Sequence, residues 1–143
     1  MSNLTPRPPF ATELEETLAA VCAQMPPTMT AEMIPMMRLG TPIDLTNEAL
    51  AAAGVTRRDT TIKSFEGGDI GVSVMARADH KGHGPGIFHT HGGGMVAGNR
   101  MAGMHLVLPW IIAHDAVAVT VEYRLAPEFP DPYPVEDCYA ALV

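Results

Sequence analysis

The stretch HTHGGGMVAGNR, residues 89–100, sets two histidines one residue apart against three consecutive glycines. Just before the glycines, IFHT (residues 87–90) reads as a short apolar strand, and residues 100–114 read as a helix with Pro109 as an expected kink. A strand that ends in glycines before a helix leaves backbone N–H groups unpaired at the C-terminal edge of a sheet. Such donors attract negative charge.

Three chemistries compete for this loop. A nucleotide phosphate calls for a P-loop or a dinucleotide fingerprint. No G-K-[ST] occurs, and the glycines at 92, 93, 94 and 98 do not fit G-x-G-x-x-G. Glu122 is only a loose candidate for a ribose contact. A metal reading uses His89 and His91, which share a face if both lie in a strand. A catalytic zinc needs three protein ligands, and His80, His83, His105 and His114 have no ligand spacing with the pair. The third reading is a transient oxyanion. HGGG (residues 91–94) has the form of the loop that donates N–H groups to a tetrahedral intermediate in lipases and esterases.

Composition narrows the partners. Of 143 residues, 47% are hydrophobic and 17% charged, as in ordinary globular domains. The net charge of −7, with basic residues scattered apart from Arg57-Arg58, argues against nucleic acid or an anionic membrane surface. Cys22 and Cys138 make no metal or disulfide framework. Cys22 is expected as a small core residue on an apolar helical stripe, and Cys138 as a packed helical residue. MSNLTPRPPF has no apolar signal region, and the apolar run at 105–121 is broken by Pro109, His114 and Asp115. The expectation is a soluble, cytoplasmic protein with no membrane span.

Along the chain, a Pro-rich arm (residues 1–10) precedes a helix opened by Thr12 and Glu15 at capping-box spacing. Leu14, Leu18, Val21, Cys22 and Met25 fall on one face of it, and Pro26-Pro27 ends it. Met25, Met29, Met33, Met36 and Met37 recur near helical spacing, as a flexible core or lid contact or as the lining of an apolar substrate pocket. A short helix is expected over residues 46–53, capped by Gly54. DTTIKSF and IGVSVMAR read as a hairpin through the turn EGGD, and HKGHGPG as a loop. AVAVTVEY reads as a buried strand, and Asp131 as the cap of a last helix with Pro132 at its first position. Alternation in the second half predicts a parallel βαβ unit.

A second motif bears on the glycines. VEYRLAPEFPDPYPVED starts at Val121, at the end of the strand that follows the helix. With HGGG ahead of it, the chain resembles the N-terminal half of the hormone-sensitive-lipase-like esterases of the α/β-hydrolase superfamily, which carry D-Y-R-L-A-P-E-H-P-F-P-A-x-x-E-D at this point. Tyr123, Arg124, Leu125, Ala126, Pro127, Glu128, Pro130, Pro132, Glu136 and Asp137 match. Glu122, Phe129 and Asp131 depart from the pattern, and Met95 stands where an aromatic residue often follows the glycines.

The resemblance implies a fold, roles and gaps. The fold class is α/β, the N-terminal portion of an α/β-hydrolase. Residues 1–54 form an arm and helical cap segment, and 55–143 the first part of the core. The implied activity is carboxylic ester hydrolysis on a small-molecule ester through a serine acyl-enzyme, with no cofactor and no metal. Gly93 and Gly94 donate to the oxyanion, Gly92 shapes the turn, His91 supports the loop and Met95 touches substrate. Arg124 and Glu128 form a structural ion pair, and Asp137 is a helix-start residue. Ser2, Ser64 and Ser73 all precede HGGG and lie in no G-x-S-x-G elbow, so the triad is expected beyond Val143 and the chain alone is expected to be inactive. A non-catalytic binding remnant of the same fold is the alternative, and a metal-dependent hydrolase using His89 and His91 a further one. The IFHT strand, left as a bare edge, invites self-association.

Overall fold

A computed structural model describes Pro9 and residues 11–24, 28–39 and 45–143. The expected Pro-rich arm, apart from Pro9, lies outside the described residues, as do Met25 and the Pro26-Pro27 helix stop. The chain divides into two compact units between Met33 and Ile34.

The first unit holds helix α1 (Thr12–Gln24) and a 3-10 turn (Ala31–Met33). The apolar spacing does make a helix, but α1 has no buried residue. Leu14 is 53% exposed and Val21 46%. Cys22 is exposed and is therefore not a core residue. Helical spacing tells which stripe is apolar, not whether anything covers it.

The second unit contains α2 (Ile34–Leu39), α3 (Asn47–Ala52), β1 (Val55–Lys63), β2 (Asp69–Arg77), β3 (Gly86–His89), α4 (Met104–His114), β4 (Val117–Glu122) and α5 (Tyr133–Leu142). The strands form one sheet in the order β1-β2-β4-β3. β1 and β2 make the expected antiparallel hairpin, and β2 pairs antiparallel with β4. β3 and β4 pair in parallel, with His89 opposite Thr120, and α4 connects them. Strand β4 is central, which explains its nearly continuous apolar run.

Side-chain alternation splits the core between the two faces of the sheet. On one face Met75 and Ala118 pack with Leu50, Met104 and Ile111. On the other, Ile70, Val72, Val121 and Tyr123 pack with Cys138 and Ala141 of α5. Each fully buried Leu, Ile or Met side chain contributes about 1.5–3 kcal/mol.

The local punctuation is partly as expected. Thr46 caps α3, its Oγ1 accepting from the Ala49 N–H at 3.2 Å, and Gly54 follows at φ +70°. Helix α4 starts at Met104 and not near residue 100. Asn99 folds residues 99–102 into a turn: its side-chain oxygen accepts from Met101 N at 2.9 Å and its carbonyl from Ala102 N at 3.0 Å. Gly103, at φ +83°, then redirects the chain into the helix. Asp131 does not cap α5. The N-cap is Pro132, which has no polar side chain to offer, so Asp131 stands one position too early.

Candidate active site

The glycine loop leaves β3 at His89 and closes on itself. The Gly93 carbonyl accepts from Val96 N at 3.2 Å and Ala97 N at 3.1 Å. Among the described residues, the amides of Gly93 and Gly94 donate to nothing, and both residues are exposed. Gly93 adopts φ +123°, and a Cβ there would stand 2.0 Å from the Ala97 carbonyl oxygen. A Cβ on Gly98, at φ +102°, would stand 2.3 Å from His91 Nδ1. These two positions require glycine. A Cβ on Gly92 would meet nothing within 4 Å, so the loop's own packing does not demand glycine there.

His91 is buried beneath the loop. Its Nδ1 donates to the Gly92 carbonyl at 2.8 Å. Its ring stacks on Tyr123 at 4.1 Å and 7°. Tyr123 in turn donates its hydroxyl to the His91 carbonyl at 2.7 Å. Burial first, then Cys138 and Glu122, push the Tyr123 hydroxyl up to about 12, so it remains a donor at any ordinary pH. Nε2 of His91 is buried without a hydrogen-bond partner among the described residues.

His89 faces a different environment. An open cavity of about 900 Å³ is walled by His89, Gly92, Gly93, Met37, Leu106 and Trp110, among others. His91 and Met95 line a separate cavity of about 310 Å³ with Tyr123 and Cys138. The two histidines thus serve different cavities, because β3 ends at His89 and strand alternation no longer governs His91. Thr120 donates its one hydroxyl proton to the Arg100 carbonyl at 2.7 Å, so it accepts from His89 Nδ1 at 2.9 Å. Burial, and secondarily His91, hold the His89 imidazole below its ordinary value. No group of three metal-ligating side chains occurs among the described residues. Of the methionines, Met37 lines the larger cavity, while Met29 and Met36 are exposed.

Residues 87–143 match the family described as the alpha/beta hydrolase fold. This is part of an α/β-hydrolase fold. Esterase LipI of Mycobacterium tuberculosis is 40% identical over 57 residues, covering 40% of this chain and 18% of that protein. A bacterial heroin esterase is 27% identical with a TM-score of 0.69, over 89% of this chain and 41% of its own. Brefeldin A esterase, a bacterial homologue of human hormone-sensitive lipase, is 26% identical with a TM-score of 0.60, over 93% of this chain and 42% of its own. The chain therefore resembles the hormone-sensitive-lipase-like esterases and spans less than half the length of each of these relatives.

Within this α/β-hydrolase fold the charged residues of the second motif pair differently from expectation. Arg124 does not pair with Glu128. It pairs with Asp137, Nε to Oδ2 at 2.9 Å and Nη2 to Oδ1 at 2.6 Å. Asp137 is the fifth residue of α5 and fully buried, more than a helix-start residue. Burial raises its carboxyl, but hydrogen bonds from Arg124 and Ser64 outweigh that and hold it low. Glu128 pairs with Arg38 of α2 instead. Arg38 was not legible as a site residue: its segment shows only methionine spacing and lies 90 residues from Glu128.

Both described serines are engaged by carboxylates. Ser64 donates to Asp137 at 2.5 Å, and Ser73, fully buried, to Asp59 at 2.6 Å. No helix among the described residues is long and apolar enough to cross a membrane.

Proposed function

We propose that the chain supplies the oxyanion-binding half of a carboxylic ester hydrolase that works through a serine acyl-enzyme. The observation that carries this reading is the pair of uncommitted amides, Gly93 and Gly94, in an exposed loop whose Gly93 borders the apolar 900 Å³ cavity. In this reading the carbonyl oxygen of a small-molecule ester develops its negative charge against these two N–H groups. Each such donor contributes about 2.7–4 kcal/mol to the transition state. Gly92 keeps the approach free of a side chain, His91 supports the loop from below, and Met95, exposed and lining the smaller cavity, is the substrate contact on that side of the loop. No cofactor enters the mechanism.

The nucleophile, its histidine base and the orienting acid come from outside these 143 residues. Two facts favour that assignment: neither Ser64 nor Ser73 bonds to a histidine, and both donate to aspartates. The same facts favour a second reading for the chain alone, a non-catalytic binding remnant. The division into a cap segment (residues 1–54) and a core portion (55–143), and self-association through the β3 edge, belong to the same proposal. Turnover of a nitrophenyl ester and labelling by a fluorophosphonate, compared between the chain alone and the chain completed by the rest of an α/β-hydrolase, test it.

A further inference from the structure

Arg38 spends its guanidinium on two loops at once. Nε donates to the Val96 carbonyl at 2.8 Å, within the turn closed by Gly93. Nη2 donates to the Ala126 carbonyl at 2.8 Å. Nη1 and Nη2 grip the Glu128 carboxylate at 2.8 and 2.7 Å. The Ala126 amide meanwhile donates to the Met95 carbonyl at 2.9 Å, so the two loops are also joined directly. Two consecutive carbonyls of the glycine loop, Met95 and Val96, are thus pinned from outside it.

We infer that Arg38 is a positioning residue for the glycine loop, clamping it to the segment after β4 so that the Gly93 and Gly94 amides hold one direction. This deepens the ester-hydrolase reading and rests on it for its purpose, though not for its test. Three features carry it. Met95 and Gly94 sit at φ +61°, a conformation that apart from Arg38 rests on the loop's internal hydrogen bonds and the single Ala126 amide. The guanidinium is the one side chain whose planar fork can serve a carboxylate and two carbonyls together, which an ammonium cannot. And Met37, next to Arg38, walls the large cavity, so the helix that carries the clamp also borders the site.

The experiment is amide hydrogen exchange and ¹⁵N-glycine NMR on the 143-residue chain and its variants. Arg38→Ala is expected to speed exchange at Val96 and Ala97 by about tenfold or more and to shift the Gly93 and Gly94 resonances, with β4 unchanged. Glu128→Gln, which keeps the arginine and the fold, is expected to move the same signals less. Arg38→Lys should fail to restore them, while millimolar guanidinium added to Arg38→Ala should restore them in part. Leu50→Ala, a core cavity remote from the loop, is the control and should lower global stability without shifting the glycines. Glycine resonances and loop exchange that stay at wild-type values in Arg38→Ala and Glu128→Gln would overturn the clamp. No step of the readout needs turnover, so loss of the ester reading would leave a measured clamp standing, and the reverse.

Discussion

Arg124 and Asp137 form a two-pronged ion pair that ties the segment after β4 to α5, with the carboxylate wholly buried. Asp137 also accepts from Ser64 and from the Arg124 backbone amide, so its oxygens hold four donors. Arg124→Met leaves a buried carboxylate with its cation gone. The expected loss is about 3–5 kcal/mol in urea unfolding. A loss below about 1 kcal/mol, the range of a surface pair, would mean that water replaces the arginine freely.

The same pair sets a direction with pH. Asp137 is held below its ordinary 3.8 in the folded chain. Its contribution is therefore complete above the unfolded value and is lost as pH falls through the lower folded value. Melting temperature should fall below pH 4 more steeply in the wild type than in Asp137→Asn, which starts lower and has no such proton to take up. Parallel acid slopes would refute the assignment.

His89 titrates in the opposite sense from a salt-bridged histidine. Its folded-state value lies below 6.5, so the folded chain binds fewer protons than the unfolded one in the window just under 6.5. Stability is full above that window and declines as pH drops through it. An NMR titration of the ring protons should place the His89 midpoint under 6.5. A midpoint at or above it would show that the imidazole is not desolvated as the cavity wall requires.

Of two glycines of the loop, one should tolerate alanine and the other should not. Gly98→Ala drives a Cβ to 2.3 Å from His91 Nδ1 and 2.4 Å from the Gly92 carbonyl, at a φ of +102°. Backbone strain alone costs about 1–3 kcal/mol, and the clash adds to it. Gly92→Ala meets nothing and should melt like the wild type. Equal melting of the two variants would contradict the loop geometry.

Strand β3 lies at the end of the sheet order, and Leu106 (69% exposed) and Trp110 (61% exposed) stand open on α4. An open edge beside apolar surface favours pairing between chains. Sedimentation velocity is expected to show mass rising with concentration, less so in Trp110→Glu. A monomer at all concentrations would remove self-association from the account.

Much of the core was legible because its signals are local. A Val-rich run of buried-strand composition became β4, and glycines after IFHT became an exposed turn, since both depend on neighbours in sequence. The pairings were not. Arg124 could have met Glu128 or Asp137, and only the placement of α5 against the sheet decides between them. Arg38 reaches a partner 90 residues away from a helix of six residues. Cys22 failed for a different reason: periodicity marks an apolar stripe, but burial needs a second surface.

The most direct test of the central claim is where a fluorophosphonate reacts and whether turnover follows. The 143-residue chain alone should show no labelled serine and no saturable hydrolysis of nitrophenyl butyrate. Completed by the rest of an α/β-hydrolase, it should be labelled at a serine outside these residues and turn over the ester. That rate should fall about 10²–10³-fold when the loop is altered so that one amide no longer reaches the oxyanion. Labelling of Ser64 or Ser73 in the chain alone, or a completed chain that hydrolyses nothing, would contradict the account.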